Sequence, residues 1–219
     1  MMIKKGIPNL FTIGNLFFGI SSILLSFNGD TSLAIMMIIF AIFMDGLDGR
    51  IARALNVEGE FGKELDSLSD IVSFGLAPAF MMYVNVFGDM NSLGWMATAI
   101  FPICGALRLA RFNVIESPPG YFIGLPIPAA GGLLSLLALY HNGINEYFLL
   151  LCTFVLSFLM VSTIQYPSFK KIGMPRWLFW SIPIFIIIAV VIYELYPNAV
   201  TKLLLLPLVF YTLYGIRKK

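Results

Sequence analysis

Apolar runs of about twenty residues follow one another along nearly the whole chain, parted only by short polar breaks. A helix of that length is what crosses the ~30 Å hydrocarbon layer of a bilayer, and in lipid each such segment must close its backbone hydrogen bonds internally. The chain is thereby restricted to an all-α, polytopic bundle of about eight transmembrane helices. The candidate spans are 7–27, 32–54, 64–87, 92–112, 124–141, 145–165, 176–195 and 198–216. Each break has a local cause. Asn28-Gly29-Asp30, the stretch from Asn85 to Asn91, His141-Asn142-Gly143 and Tyr196-Pro197-Asn198 are all rich in turn-forming residues. Of the 219 residues 59% are hydrophobic and 12% charged, against about 25% charged in soluble domains, so no polar stretch remains for a second domain. Residues 1–219 are expected to form one integral membrane domain.

Basic residues test the span count, because cytoplasmic connections collect Lys and Arg. Lys4 and Lys5, then Arg50, Arg53 and Lys63, then Arg108 and Arg111, then Lys170, Lys171 and Arg176, then Arg217, Lys218 and Lys219 fall on one side, and only Lys202 does not. This pattern puts both termini in the cytoplasm and requires an even number of spans. Lys4 and Lys5 precede an apolar run without a small-residue cleavage site, so the run is expected to be a retained first span. A net charge of +2, with the basic residues scattered, excludes a phosphate-neutralising stripe for nucleic acid. Cys104 and Cys152 sit in apolar runs without metal or redox spacing and read as small hydrophobes.

The acidic residues carry the functional signal, since a carboxylate at membrane depth costs several kcal/mol unless it is compensated. Seven of twelve lie between Asp45 and Asp70. Glu58, Glu60 and Glu64 can be solvated in a connecting loop. Asp45 and Asp48 fall in the last turns of the second span, Asp66 and Asp70 in the first turns of the third, all at the expected cytoplasmic boundary. Separations of three and four residues put each pair on one helical face, with side chains roughly 5–6 Å apart. A helical hairpin would bring the pairs together into a cluster that repels itself strongly without cations. All-oxygen ligands favour Mg²⁺, Mn²⁺ or Ca²⁺, and incomplete protein cages of this kind hold substrate phosphate through the metal. Gly46, Gly49, Ala52 and Gly62 leave backbone uncovered either for a ligand or for close helix packing. Arg53 serves either a phosphate or the membrane interface.

The pattern Asp45-x2-Asp48-Gly49-x2-Ala52-Arg53-x8-Gly62-x3-Asp66-x3-Asp70 resembles the motif of the CDP-alcohol phosphotransferases at all eight fixed positions. The resemblance covers roughly the first six spans. It implies that Asp45, Asp48 and Asp66 hold metal, that Asp70 completes a second metal site and acts as general base, and that Gly49, Ala52, Arg53 and Gly62 receive CDP, with Asp48 beside them. Two Mg²⁺ or Mn²⁺ ions and a homodimer are further implications. Four flanking segments are similar to the membrane-embedded phosphatidylserine synthase branch of that family. They are Ile7-Pro8-Asn9-Leu10-Phe11-Thr12 with Asn15, Ser73-Phe74-Gly75-Leu76-Ala77-Pro78-Ala79, Arg108-Leu109-Ala110-Arg111-Phe112-Asn113, and Gly124-Leu125-Pro126-Ile127-Pro128-Ala129-Ala130. On that likeness Asn9, Thr12 and Asn15 are expected at the CDP and lipid phosphates.

The resemblance implies transfer of a phosphatidyl group from CDP-diacylglycerol, or from CDP-archaeol if the lipids are ether-linked, to L-serine, giving phosphatidylserine and CMP. Serine needs a cation for its carboxylate and acceptors for its ammonium, whereas glycerol 3-phosphate or inositol phosphate needs several cations. Arg108 and Arg111 are candidates for the serine carboxylate, with Ser73 and Asn113 as polar partners; Pro78 and the two arginines also have plain readings as a kink and as interfacial anchors. No Ser-His or Cys-His pair suggests a covalent intermediate, and the only histidine, His141, lies in an expected external turn. Two rivals stand beside this reading. One is a related enzyme with a phosphorylated acceptor, against which the flanking segments weigh. The other is a cation channel or transporter, whose acids should continue across the membrane, as these do not.

Overall fold

The computed structural model describes residues 2–115 and 121–167 together with Thr212; apart from that threonine, the expected spans 176–195 and 198–216 lie outside the described residues. The chain starts with a helical hairpin of α1 (Met2–Phe27) and α2 (Thr31–Leu55), turned at Gly29 with φ 85°. α2 stops at Asn56, whose left-handed backbone lets its N–H return to the carbonyls of Ala52 and Arg53. The next rod, 28 residues from Glu60 to Phe87, is continuous but not uniformly α-helical. It runs through α3 (Glu60–Asp70), a π-helical segment at 71–76, α4 (Ala77–Met82) and a second π-helical segment at 83–87. Pro78 has no N–H for the carbonyl of Phe74, and just before it the N–H of Ala77 bonds five residues back to Val72.

α5 (Asn91–Val114) returns alongside with Pro102 inside it, and after β1 (Tyr121–Ile123) the chain enters α6 (Ile127–Leu139) and α7 (Glu146–Val161), ending in β2 (Gln165–Pro167). α6 is buried nearly all round, from Ala130 through Leu136 without interruption. A helix apolar on every face belongs inside a bundle, and α6 packs against α4, α2, α7 and the first π-helical segment. Gly131 lets it come close, because a Cβ there would overlap the carbonyl oxygen of Phe74 and approach its Cα to 2.9 Å.

The first four expected spans appear as four helices long and apolar enough to cross a membrane: Gly6–Phe27, Thr31–Leu55, Glu60–Phe87 and Asn91–Val114. The fifth and sixth are shorter than expected. α6 has 13 residues and α7 has 16, which at 1.5 Å per residue reach only about 20 and 24 Å. Pro126 is the N-cap of α6, so the helix starts at Ile127, three residues after the expected limit, and α7 stops at Val161, four residues before its expected end, where Gln165 instead begins a strand. Tyr121–Ile123 pairs antiparallel with Gln165–Pro167, Phe122 opposite Tyr166, which corrects the all-α expectation to a mostly helical fold with one small β-ribbon.

Gly131→Val should lower the thermal unfolding midpoint of the detergent-solubilised protein by several degrees, as overpacking a tight contact costs about 1–3 kcal/mol. An unchanged midpoint would show that α6 and the Phe74 backbone have room to spare.

Candidate active site

Near the end of α2 and on α3, the acids that the hairpin spacing predicts as neighbours come together. One carboxylate oxygen from each of Asp45, Asp48 and Asp66 lies within 4.8 Å of the others, an arrangement that could hold a metal ion. Its donors are all oxygen, which fits a hard divalent cation. Above it Gly46 is exposed, and a side chain there would meet nothing within 4 Å. Asp70 sits one turn beyond Asp66, at the end of α3, and is 7% exposed. Asp45, Asp66 and Arg108 are its charged neighbours.

α1 supplies hydrogen bonds to both acidic helices from one face. Thr12 Oγ1 donates to Asp48 Oδ2 at 2.7 Å, and three residues on Asn15 Nδ2 donates to Asp70 Oδ1 at 3.2 Å. Both residues were expected at the CDP phosphates. Both are buried beside the carboxylates, at 3% and 0% exposure. Asn9 lies closer to the motif glycines, its Oδ1 being 3.3 Å from where a Cβ on Gly62 would stand. The exposed Arg53 guanidinium folds over Gly49 and is a charged neighbour of Asp48, and Ala52 is half-buried on the same helix.

The four residues expected around serine separate into different roles. Arg108 is buried, 6% exposed, and its guanidinium carbon stands 5.6 Å from the centre of the Phe112 ring. Arg111, one turn on, does not share that position. Its guanidinium donates to four backbone carbonyls, those of Val161 at 2.7 Å, Ser162 at 3.0 Å, Ile123 at 3.1 Å and Met160 at 3.2 Å. Arg111, expected at the serine carboxylate, thus ties the end of α5 to the end of α7 and to β1. Gly124, with φ 78°, is required beside it, since a Cβ would come within 2.7 Å of Arg111 Nη2. Ser73 is buried too, and its hydroxyl donates to the Asn15 carbonyl at 2.9 Å. Asn113 Nδ2 donates to Ser67 Oγ at 3.0 Å, while the Asn113 carbonyl accepts from Lys63 Nζ at 3.0 Å. Lys63 and Ser67 had no place in the sequence reading of the site. Their separation of four on α3, next to the acidic face, is the one signal that could have marked them as a tie to another helix.

Comparison with known proteins matches residues 5–165 to the CDP-alcohol phosphatidyltransferase family model, and the chain belongs to that family. It is 37% identical over 217 residues to the CDP-diacylglycerol–serine O-phosphatidyltransferase of Helicobacter pylori (strain ATCC 700392 / 26695), covering 95% of this chain and 89% of the relative. With the enzyme of the same name from Bacillus subtilis (strain 168) it shares 39% over 165 residues, 75% of this chain and 92% of the relative. The archaetidylserine synthase of Methanothermobacter thermautotrophicus is 36% identical over 172 residues, 76% of this chain and 72% of that protein.

Arg111→Ala should lower the thermal midpoint by a few degrees, because the part-buried carbonyls of Ile123, Met160 and Ser162 lose their donor and a hydrogen bond of this kind contributes about 0.5–1.5 kcal/mol. Arg111→Lys, with one ammonium in place of a fork, should recover only part of the loss. A wild-type midpoint for the alanine variant would remove the structural role.

Proposed function

We propose that the chain transfers a phosphatidyl group from CDP-diacylglycerol, or its ether-lipid counterpart CDP-archaeol, to the hydroxyl of L-serine, releasing CMP. The observation that carries this reading is the carboxylate cluster with Asp70 and a buried Arg108 at its edge, in a chain whose relatives are named for serine transfer. Asp45, Asp48 and Asp66, with Asp70 on a second ion, would hold Mg²⁺ or Mn²⁺. When bound, such cations neutralise charge on the pyrophosphate and on the leaving CMP. Asp70 accepts the proton of the serine hydroxyl as its oxygen forms a bond to the lipid-bearing phosphorus, and the bond from that phosphorus to the CMP oxygen breaks with its electron pair. Arg53 and the uncovered backbone at Gly49, Ala52 and Gly62 receive the nucleotide and its phosphates, with Asn9 beside them.

Arg108 supports serine over a phosphorylated acceptor. It is the one buried cation among the described residues, and Arg111 is engaged with carbonyls. A single guanidinium suits a monoanionic carboxylate, whereas a phosphate dianion calls for more positive charge. The basic-residue pattern supports a single multi-pass domain of eight spans in the cell membrane with both termini and the active site at the cytoplasmic face. Family resemblance supports a homodimer. A channel reading is disfavoured because Arg108 faces the acids as a fixed counter-charge.

In detergent or liposomes, labelled CMP should be released from CDP-diacylglycerol when L-serine is added, and not with glycerol 3-phosphate or inositol phosphate. Chelation should abolish release and Mg²⁺ or Mn²⁺ restore it. Release driven by glycerol 3-phosphate overturns the acceptor, and release that survives chelation overturns the metal site.

Arg108→Ala should raise the apparent KM for serine about tenfold to a hundredfold while leaving that for CDP-lipid nearly unchanged, as a charge-assisted bond contributes about 1.5–3 kcal/mol. Equal weakening toward both substrates would move Arg108 to the lipid phosphate.

A further inference from the structure

α1 carries no member of the acidic cluster, yet it provides a side-chain hydrogen bond to Asp70, the group that the proposed reaction asks to take a proton. That bond comes from Asn15, which is wholly buried. Asn15 is in turn held from the far side, because Ser73, three residues after Asp70, donates its hydroxyl to the Asn15 carbonyl at 2.9 Å. The next turn of α1 is pressed against the same residue, since a Cβ on Gly19 would overlap the Ser73 hydroxyl and stand 2.7 Å from Ser73 Cα. A closed loop of contacts results, running from Asp70 to Asn15, through its backbone to Ser73, and back along the helix to Asp70.

One further detail separates this loop from ordinary packing. The other amide atom of Asn15, Oδ1, is buried with no partner among the described residues. An amide placed only to fill space would be improved by an apolar side chain of the same shape, because a buried acceptor without a donor is costly. The residue is explained by its Nδ2 donor. Carboxylate oxygens rotate about the last side-chain torsion, which is broad, so Asp70 by itself would not hold one oxygen toward an incoming hydroxyl.

We propose that Asn15 is a positioning residue for Asp70, fixing the carboxylate through its side-chain amide while the Ser73 hydroxyl and the bare Gly19 fix Asn15, and that neither Asn15 nor Ser73 touches a substrate. The inference rests on the proposed reaction. It also separates Ser73 from serine binding and Asn15 from the CDP phosphates.

The test uses the full chain in detergent. Wild type must first release CMP with serine, so that failure of the reaction itself is seen before any variant is read. Asn15→Leu and the smaller Asn15→Ser should each lower kcat about tenfold to a hundredfold, the usual effect of removing a group that orients a catalytic side chain. KM for serine and for CDP-lipid should stay within about threefold, because no substrate contact is removed. Binding of CDP-lipid, measured without turnover, should match wild type and shows that each variant is folded. Ser73→Ala should lower kcat several-fold and add little in the Asn15→Leu background, since both act through one bond. Unchanged kcat in both Asn15 variants overturns the proposal. So does weakened CDP-lipid binding in folded Asn15→Ser, which would put the amide on the nucleotide, and so does a raised serine KM in Ser73→Ala. Additive losses in the double variant would show that Ser73 acts independently of Asn15.

Discussion

Mutual repulsion among carboxylates on two adjoining helices is the constraint to which the rest of this structure answers. At an effective dielectric of about 20, two unit charges 4 Å apart interact by about 4 kcal/mol, and here three carboxylates approach within 4.8 Å with a fourth alongside. α2 and α3 would separate if nothing opposed this. Their connection is short, which sets the approach, but a short loop supplies no counter-charge. Arg53 supplies it from the exposed side of Asp48 and Arg108 from the buried side of Asp70. A divalent cation bound among the three acids would supply more.

Hydrogen bonding from α1 complements those charges and explains why the first helix lies where it does. Thr12 and Asn15, on one face, each donate to an acid of a different helix, so α1 spans the seam between α2 and α3. The close approach at Gly19 allows that seam to be tight. Directly after Asp70 the rod becomes π-helical, and the extra residue per turn shifts the following side chains around the axis relative to a regular helix. Ser73 lies in that segment, and its hydroxyl reaches the carbonyl of Asn15 across the seam.

What the sequence revealed and what it concealed follow from the same physics. Aspartates at separations of three and four on two consecutive apolar helices can share a face in only one way, so Asp45, Asp48 and Asp66 were legible as a cluster. Arg108 and Arg111 also stand three apart and look equivalent by that rule. They differ because of partners elsewhere in the chain, the carbonyls near Ile123 and Met160 that capture Arg111, and helical periodicity carries no information about those. Thr12 and Asn15 were expected at the CDP phosphates from the likeness of their segment to one branch of the family, and helical spacing carries no sign of their bonds to Asp48 and Asp70. The β-ribbon was invisible because strands of three residues, Tyr121–Ile123 and Gln165–Pro167, are too short to show alternation.

The C-terminal end of α5 shows how one arginine can be kept inside while its neighbour is not needed there. Arginines near the end of a membrane helix ordinarily extend toward the headgroups, keeping the charge hydrated. Arg108 instead lies buried against Phe112, and the helix that carries it is tied on two sides. Asn113 bonds to Ser67 and Lys63 on α3, and Arg111 bonds to the end of α7 and to β1. With α5 held at both flanks, Arg108 faces Asp70, whose negative charge offsets part of the cost of its burial. A guanidinium in that setting is little screened by salt, so one such group can discriminate an anionic acceptor where several exposed lysines would not. If Arg108 selects the acceptor as proposed, the two ties are as much a part of that selectivity as the arginine, because without them the side chain regains its route to water.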